Sequence, residues 1–217
     1  MLLMASRSRP QNLARLLQSF KDTGVTTSAL IYLDQDDPCL SSYIEVMAGH
    51  DIWPMIGPRI GAGPAINKLF ARERNQPFYG IVADDLIPRT AQWDRILGDA
   101  ARGGIAYGDD GFQGRNLPTH PFLDGDLFRR IGWLTLPDCK HWFVDNAWRA
   151  IGEALNCLRY VPEVILEHMH PLAGKAEHDR SYEESTAMAA GDQGRYAAWE
   201  KEELPYLLRR LREAKAA

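Results

Sequence analysis

Two carboxylates stand side by side in FYGIVADDLIPRTAQWDRIL, Asp84 and Asp85, directly after an apolar run that reads as a β-strand. Adjacent acids repel one another, so a strand end keeps them where solvent, a helix start or a cation offsets the repulsion. A turn, a cap and a metal site are the three readings. Similar spacing recurs at Asp34 and Asp36 in LDQDD and at Asp124 and Asp126 in LDGD. The LDGD acids precede the amphipathic run LFRRI, where capping and compensation of the helix dipole account for them. The other two sets follow strand-like runs, where open α/β sheets place their ligands, although acids after a strand also make turns.

The elements that must position these acids alternate. LLMAS reads as a buried strand, and QNLARLLQSF sets Leu13, Leu16, Leu17 and Phe20 at helical spacing. SALIYL and DIWPMIG supply two more strands, the second followed by the glycine-rich GPRIGAGP and by a helix with Ala65, Ile66, Leu69 and Phe70 on one face. After FYGIV and the acids, Pro88 is expected to open a helix with Trp93, Ile96, Leu97 and Ala100 on its inner stripe. VDNAWRAIGEAL reads as a helix, LRYVPEVILEHMH as a strand, and the chain from Gly191 onward as helical and charged. Alternating strands and helices predict an α/β fold with a largely parallel sheet. No Pro-, Gly- or Ser-rich linker divides the 217 residues, so a single domain is expected.

With 25 basic against 29 acidic residues, the net charge of −4 argues against a broadly basic nucleic-acid coat, although it leaves room for a local basic groove. Cys39, Cys139 and Cys157 are widely spaced and odd in number, and no apolar run approaches the roughly 20 residues of a membrane span. A soluble, cytoplasmic protein that does not engage membranes is the expectation.

Five stretches in order, MASRSRP, GAGPAINKLF, ADDLIPRTAQWD, HWFVDNAW and EHMHP, resemble a glycosyltransferase of the GT-A fold, close to the family-two type and its small phage and bacterial relatives. The resemblance extends to about Pro171. It implies a Rossmann-like, mostly parallel sheet flanked by helices, with a nucleotide-sugar-binding half (1–100), an acceptor and catalytic half (101–190) and a C-terminal helix (191–217). By this resemblance Ser6, Arg7 and Arg9 contact the donor nucleotide, Asp34 meets its base or ribose, and Asp84 lies near the ribose or a metal-bound water. Asp85 and His168 are implied as ligands of a divalent cation, Mn2+ or Mg2+, and Lys175 as a partner of the diphosphate beneath a cover formed by HPLAGKAEHDRSYEES. One or two carboxylates suffice for such a hard ion when phosphate oxygens complete its shell, and a nitrogen ligand suits manganese. Ala83 departs from the family pattern, standing where many members carry the first acid of a D-D-D run.

Asp145, at the start of its helix, would serve as a cap on local grounds alone. The resemblance makes it the catalytic base of an inverting transfer from a nucleotide-sugar donor, a UDP-sugar by family default. The acceptor stays open between a saccharide and hydroxymethylpyrimidine in DNA. For DNA, Arg7, Arg9, Arg115, Arg129 and Arg130 would have to gather near the site. Nucleotidyl transfer and non-catalytic nucleotide-sugar binding on the same scaffold are the alternatives. Asp109 and Asp110 in GDDG either line the acceptor side or shape a loop, His170 is at best an outer neighbour of the metal, and Trp93, Trp133 and Trp148 read as core.

Overall fold

Leu2, Leu3 and Met4 are completely buried because β1 (Leu2–Ser6) runs through the middle of a sheet covered on both faces. A computed structural model describes residues 1–216, with side chains to 213. Successive strand residues point to opposite faces. Accordingly Leu3, with Leu30 and Tyr32 of β2 (Ala29–Asp34), joins one core, while Leu2 and Met4, with Ile31 and Leu33, join the other. That two-sided burial is what an α/β sandwich requires of its central strands.

On the second core pack α1 (Pro10–Thr23), α2 (Leu40–Met47) and α4 (Trp93–Ala100). The first is covered by α3 (Ala62–Arg72), α5 (Gly125–Ile131), α6 (Val144–Ala154), α8 (Ala189–Glu202) and α9 (Leu204–Ala216). The remaining strands are β3 (Ile52–Gly57), β4 (Phe78–Ile81), β5 (Leu86–Pro88), β6 (Ile105–Asp109), β7 (Phe122–Asp124) and β8 (Leu158–His168). Among the described residues the sheet has eight strands in the order β3-β2-β1-β4-β7-β6-β8-β5. Pairings are parallel through β3-β2-β1-β4 and between β6 and β8, and antiparallel where β7 inserts between β4 and β6 and where β5 meets β8. This is the expected mostly parallel sheet flanked by helices.

Local expectation and structure part at Pro88. It ends β5, and the helix begins five residues later at Trp93. Leu86, Ile87 and Pro88 pair antiparallel with His168, Glu167 and Leu166, so a partner about 80 positions away outweighs the local helix-start signal. The inner stripe of α4 shifts with it: Trp93, Asp94, Leu97 and Gly98 are buried, while Ile96 faces solvent. Asp124 is the cap expected, accepting the Leu127 amide at 2.7 Å. Trp93 and Trp148 are buried, and Trp133 packs against the core. No helix among the described residues is long and apolar enough to cross a membrane.

Candidate active site

The loop after β1 is shaped by acids from the next strand end. Ser8 adopts a left-handed φ of 59°. Its amide donates to Asp37 Oδ2 at 2.7 Å, and Asp37 Oδ1 accepts the Cys39 amide at 2.8 Å. Arg7 turns toward the end of β2, with Nη1 3.1 Å from Asp34 and 2.8 Å from Asp36. Burial raises the pKa of Asp34, and Arg7 partly offsets that rise.

Beside this loop a buried hydroxyl chain reaches the paired acids. The Arg9 amide donates to the Tyr43 oxygen at 2.8 Å, Tyr43 and Ser6 share a 2.6 Å hydrogen bond, and Ser6 Oγ donates to Asp84. With Tyr43 donating to Ser6, every proton in the chain has an acceptor. Asp84 and Asp85 are each only 7% exposed, so the strand end buries both rather than leaving them in a solvated turn. They differ electrostatically. Burial first, and then the charge of Asp85, push the Asp84 pKa up. Burial would raise Asp85 too, but His168 and Tyr182 outweigh it and hold Asp85 well below the usual carboxylate range.

His168 ends β8 beside the acids. Its Nε2 lies 3.5 Å from Asp85 Oδ1 and its Nδ1 3.8 Å from Asp110 Oδ2. Burial alone would lower its pKa, yet the two carboxylates push it up to about 9. His120, with its ring centroid 4.9 Å from that of His168, goes the other way, lowered by burial to about 3. Asp85 Oδ1, His168 Nδ1 and His120 Nε2 are all buried without a hydrogen-bond partner among the described residues. Such orphans are costly where nothing occupies the space between them.

Arg9 links the acids to the late segment. Its Nη1 is 3.5 Å from Asp84 and 3.8 Å from Asp85, while Nε and Nη2 donate to Asp179 at 2.7 and 2.6 Å. Asp179 also caps α7 (Arg180–Thr186). From that helix the Tyr182 hydroxyl donates to Asp85 Oδ2 at 2.7 Å and its ring lies under Arg9, 4.3 Å from the guanidinium. Glu184 pairs with Arg59, and Ser185 accepts the Trp142 indole N–H at 2.7 Å. The stretch expected as a cover is therefore partly helical and lies across the acids.

Asp145 sits in the first turn of α6 but is not its cap, which is Phe143 in a left-handed conformation with φ 64°. Its Oδ1 accepts the Asn146 amide at 3.0 Å. Burial raises its pKa to about 6, and it lies within electrostatic reach of His168. Lys175 points elsewhere, pairing at 2.9 Å with Glu167, which Arg89 also contacts at 2.6 Å. Asp110 is a loop former, whereas His170 accepts the Leu172 amide and stacks on Phe112 at 5.2 Å. Arg129 is spent on Asp126 and on the carbonyls of Arg74 and Gln76, at the opposite end of β4 from the paired acids.

Ser6, Arg9, Asp84, Asp85 and His168 thus converge, with Arg7 and Asp34 adjoining. Asp110, expected as an acceptor-side or loop residue, completes the cluster with Asp179 and Tyr182 of the expected cover and with Tyr43 and His120, which were not singled out. Asp110 and Asp179 carry a local signal, being turn- and cap-type residues before GFQG and RSYEES. Tyr43, His120 and Tyr182 carry none. Among the described residues no three His, Cys, Asp or Glu side chains are arranged to hold one ion. A cation here would rest on Asp85 and His168 and take its other oxygens from a ligand, which suits a hard divalent ion.

No protein-family model matches this sequence, and no curated protein matches it. Solved structures do. The mannosyltransferase PcManGT from Pyrobaculum calidifontis, in complex with GDP-Man and Mn2+, superposes with a TM-score of 0.61 at 11% identity, over 99% of this chain and 73% of its own. TarS of S. aureus gives 0.60 at 9% identity over 94% of this chain, which spans 44% of that protein. A Bacillus anthracis protein described as a glucose-1-phosphate thymidylyltransferase gives 0.51 at 11% identity, over 84% and 98% of the two chains. At such identities the likeness defines the fold, and that fold is GT-A-like.

Proposed function

We propose that this protein is a glycosyltransferase that moves a sugar from a nucleotide-sugar donor to an acceptor hydroxyl with inversion, using Mn2+ or Mg2+. The observation that carries the reading is the orphaned, buried Asp85 Oδ1 facing His168 Nε2 at the carboxyl ends of the strands, beside Arg9. Asp85 and His168 would hold the cation, which would neutralise charge on the departing diphosphate. Ser6, Arg7, Arg9, Asp34 and Asp84 would receive the nucleotide, a uridine diphosphate by the sequence resemblance. The diphosphate would compete with Asp179 for the Arg9 guanidinium, and α7 would act as the cover over it. Lys175, one strand position from His168 through Glu167, would join on release from that pair. Asp145 would take the proton of the acceptor hydroxyl as its oxygen bonds to the anomeric carbon and the bond to the diphosphate oxygen breaks. A single displacement inverts the anomeric centre, and a diphosphate leaves without a general acid. Saccharides are the favoured acceptors, because Arg129 is committed far from the acids and the basic cluster expected for DNA is thereby reduced.

Screening nucleotide sugars with Mn2+ for slow release of nucleoside diphosphate tests the activity. Pyrophosphate release from a nucleoside triphosphate would instead favour nucleotidyl transfer, the chemistry named for the Bacillus neighbour. Calorimetry on Asp85→Ala tests the site: the Mn2+-dependent part of nucleotide-sugar binding should disappear, and an unchanged Mn2+ dependence would remove Asp85 from it.

A further inference from the structure

His168 is set between two carboxylates by the backbone. Its amide donates to the Asp110 carbonyl at 2.9 Å, the next amide, of Met169, donates to the Asp85 carbonyl at 2.8 Å, and His168 lies opposite Leu86 in the β5–β8 ladder. The imidazole therefore has an acid at each nitrogen, Asp85 beyond Nε2 and Asp110 beyond Nδ1.

Asp110 is built to hold still. It is 3% exposed, and its Oδ1 accepts the amides of Phe112, Gln113 and Gly114 at 2.9, 2.7 and 2.8 Å. Among the described residues its Oδ2 has a single hydrogen bond, from Thr119 Oγ1 at 3.0 Å. A carboxylate oxygen can accept a second. His168 Nδ1, buried and without a partner, is 3.8 Å away, so a donor lacking an acceptor faces an acceptor with spare capacity. A modest ring rotation would close the hydrogen bond.

We propose that Asp110 is a positioning residue that keeps the proton of His168 on Nδ1 and thereby aims the Nε2 lone pair at the cation beside Asp85. The proposal rests on the reading of Asp85 and His168 as the cation's protein ligands. A ligating histidine usually donates its second N–H to a carboxylate or carbonyl, and loss of that partner costs about 10- to 100-fold in metal affinity. Loop shaping alone predicts something different: Thr119→Val would then matter as Asp110→Asn does, because both remove a hydrogen bond of the same carboxylate.

The test is electron paramagnetic resonance of Mn2+ titrated into the full chain, alone and with UDP or GDP, with pulsed measurement of the nitrogen-14 modulation from a ligated imidazole. Wild type should show the modulation. Asp110→Asn should bind Mn2+ about 10- to 100-fold more weakly with diminished modulation, while Thr119→Val stays near wild type. Wild-type affinity and modulation in Asp110→Asn, or an equal loss in Thr119→Val, would overturn the proposal. Should Asp110→Asn fail to fold, long-range proton–nitrogen NMR on Mg2+-loaded wild type decides: a proton on His168 Nδ1 supports the assignment, and one on Nε2 defeats it. A wild-type protein that binds Mn2+ without nitrogen modulation, or not at all, removes the ligand reading itself. That failure appears before any variant is compared.

Discussion

The loop that delivers Asp145 is held from the far end of the chain, and Asp192→Ala should show how firmly. Asp192 of α8 is 2% exposed. Its Oδ1 accepts the Lys140 amide and its Oδ2 those of His141 and Trp142, all at 2.8 Å. Lys140 also lends its carbonyl to the Gly63 amide at 2.9 Å, and a Cβ on Gly63 would come within 2.5 Å of the Cys139 carbonyl, so the loop is clamped between α3 and α8. Phe143, in its left-handed conformation, then turns the chain into α6. Each hydrogen bond to a charged group contributes about 1.5–3 kcal/mol, which sets a ceiling of roughly 5–9 kcal/mol for three. His141 and Lys140 are exposed residues whose amides water can reach after truncation, so the expected loss is lower, about 3–4 kcal/mol. Urea denaturation followed by circular dichroism measures it. A loss below about 1 kcal/mol would refute the clamp, because three charge-assisted hydrogen bonds lost together cost more than that even where water replaces some of them. Asp192→Asn, which keeps one carbonyl oxygen, should fall between Ala and wild type. In the transfer reaction both variants should lower kcat more than they raise KM for the donor, since the loop places Asp145 and not the nucleotide.

Asp145→Asn keeps the shape and removes the proposed base: donor affinity should survive while transfer falls about a hundredfold or more, and near-normal turnover would leave Asp145 without a proton-transfer role. Because burial lifts Asp145 to about 6, its carboxyl is ionised above that pH, as the proposed base must be, and protonated below it. Transfer at saturating donor should therefore drop about tenfold from pH 7 to pH 5, and a flat profile would contradict the assignment. Tyr182→Phe removes the hydroxyl that donates to Asp85 Oδ2, freeing that oxygen for a cation. Mn2+ binding in a calorimeter should tighten, and weaker binding would mean that Tyr182 supports the site instead of covering it.

Much of the first half of the fold was readable because its strands alternate cleanly between two cores and its helices carry apolar stripes: Leu13, Leu16, Leu17 and Phe20 of α1 are all buried, as are Ala65, Ile66, Leu69 and Phe70 of α3. The second half was harder for a physical reason. Three-residue strands such as Leu86–Pro88 and Phe122–Asp124 are too short to show a period, and both exist through antiparallel pairing with distant segments. α2 escaped notice because only Tyr43 and Met47 are buried and no side chain caps it. Within the site, the strand-end acids were visible by position, but what faces them was not. Tyr182 is 97 residues from Asp85 and Asp179 is 170 from Arg9, and no motif spans such gaps.

Those distant partners answer the question posed by two adjacent acids. Asp84 and Asp85 do not persist through solvation, being buried, nor as a helix start, since a strand follows them. Their repulsion is lessened unequally: the raised pKa of Asp84 makes it the easier of the two to protonate, while Asp85 keeps its charge against the His168 imidazolium, the Tyr182 hydroxyl and the nearby Arg9. Those three groups are provisional in different ways. The Nε2 proton of His168 can leave, Tyr182 sits on a helix held across the acids by side chains, and Arg9 divides its donors between the acids and Asp179. A divalent cation with a diphosphate would supply the same compensation, positive charge for Asp85 and negative charge for Arg9. Such a ligand would take the places that the Tyr182 hydroxyl holds at Asp85 and that Asp179 holds at Arg9.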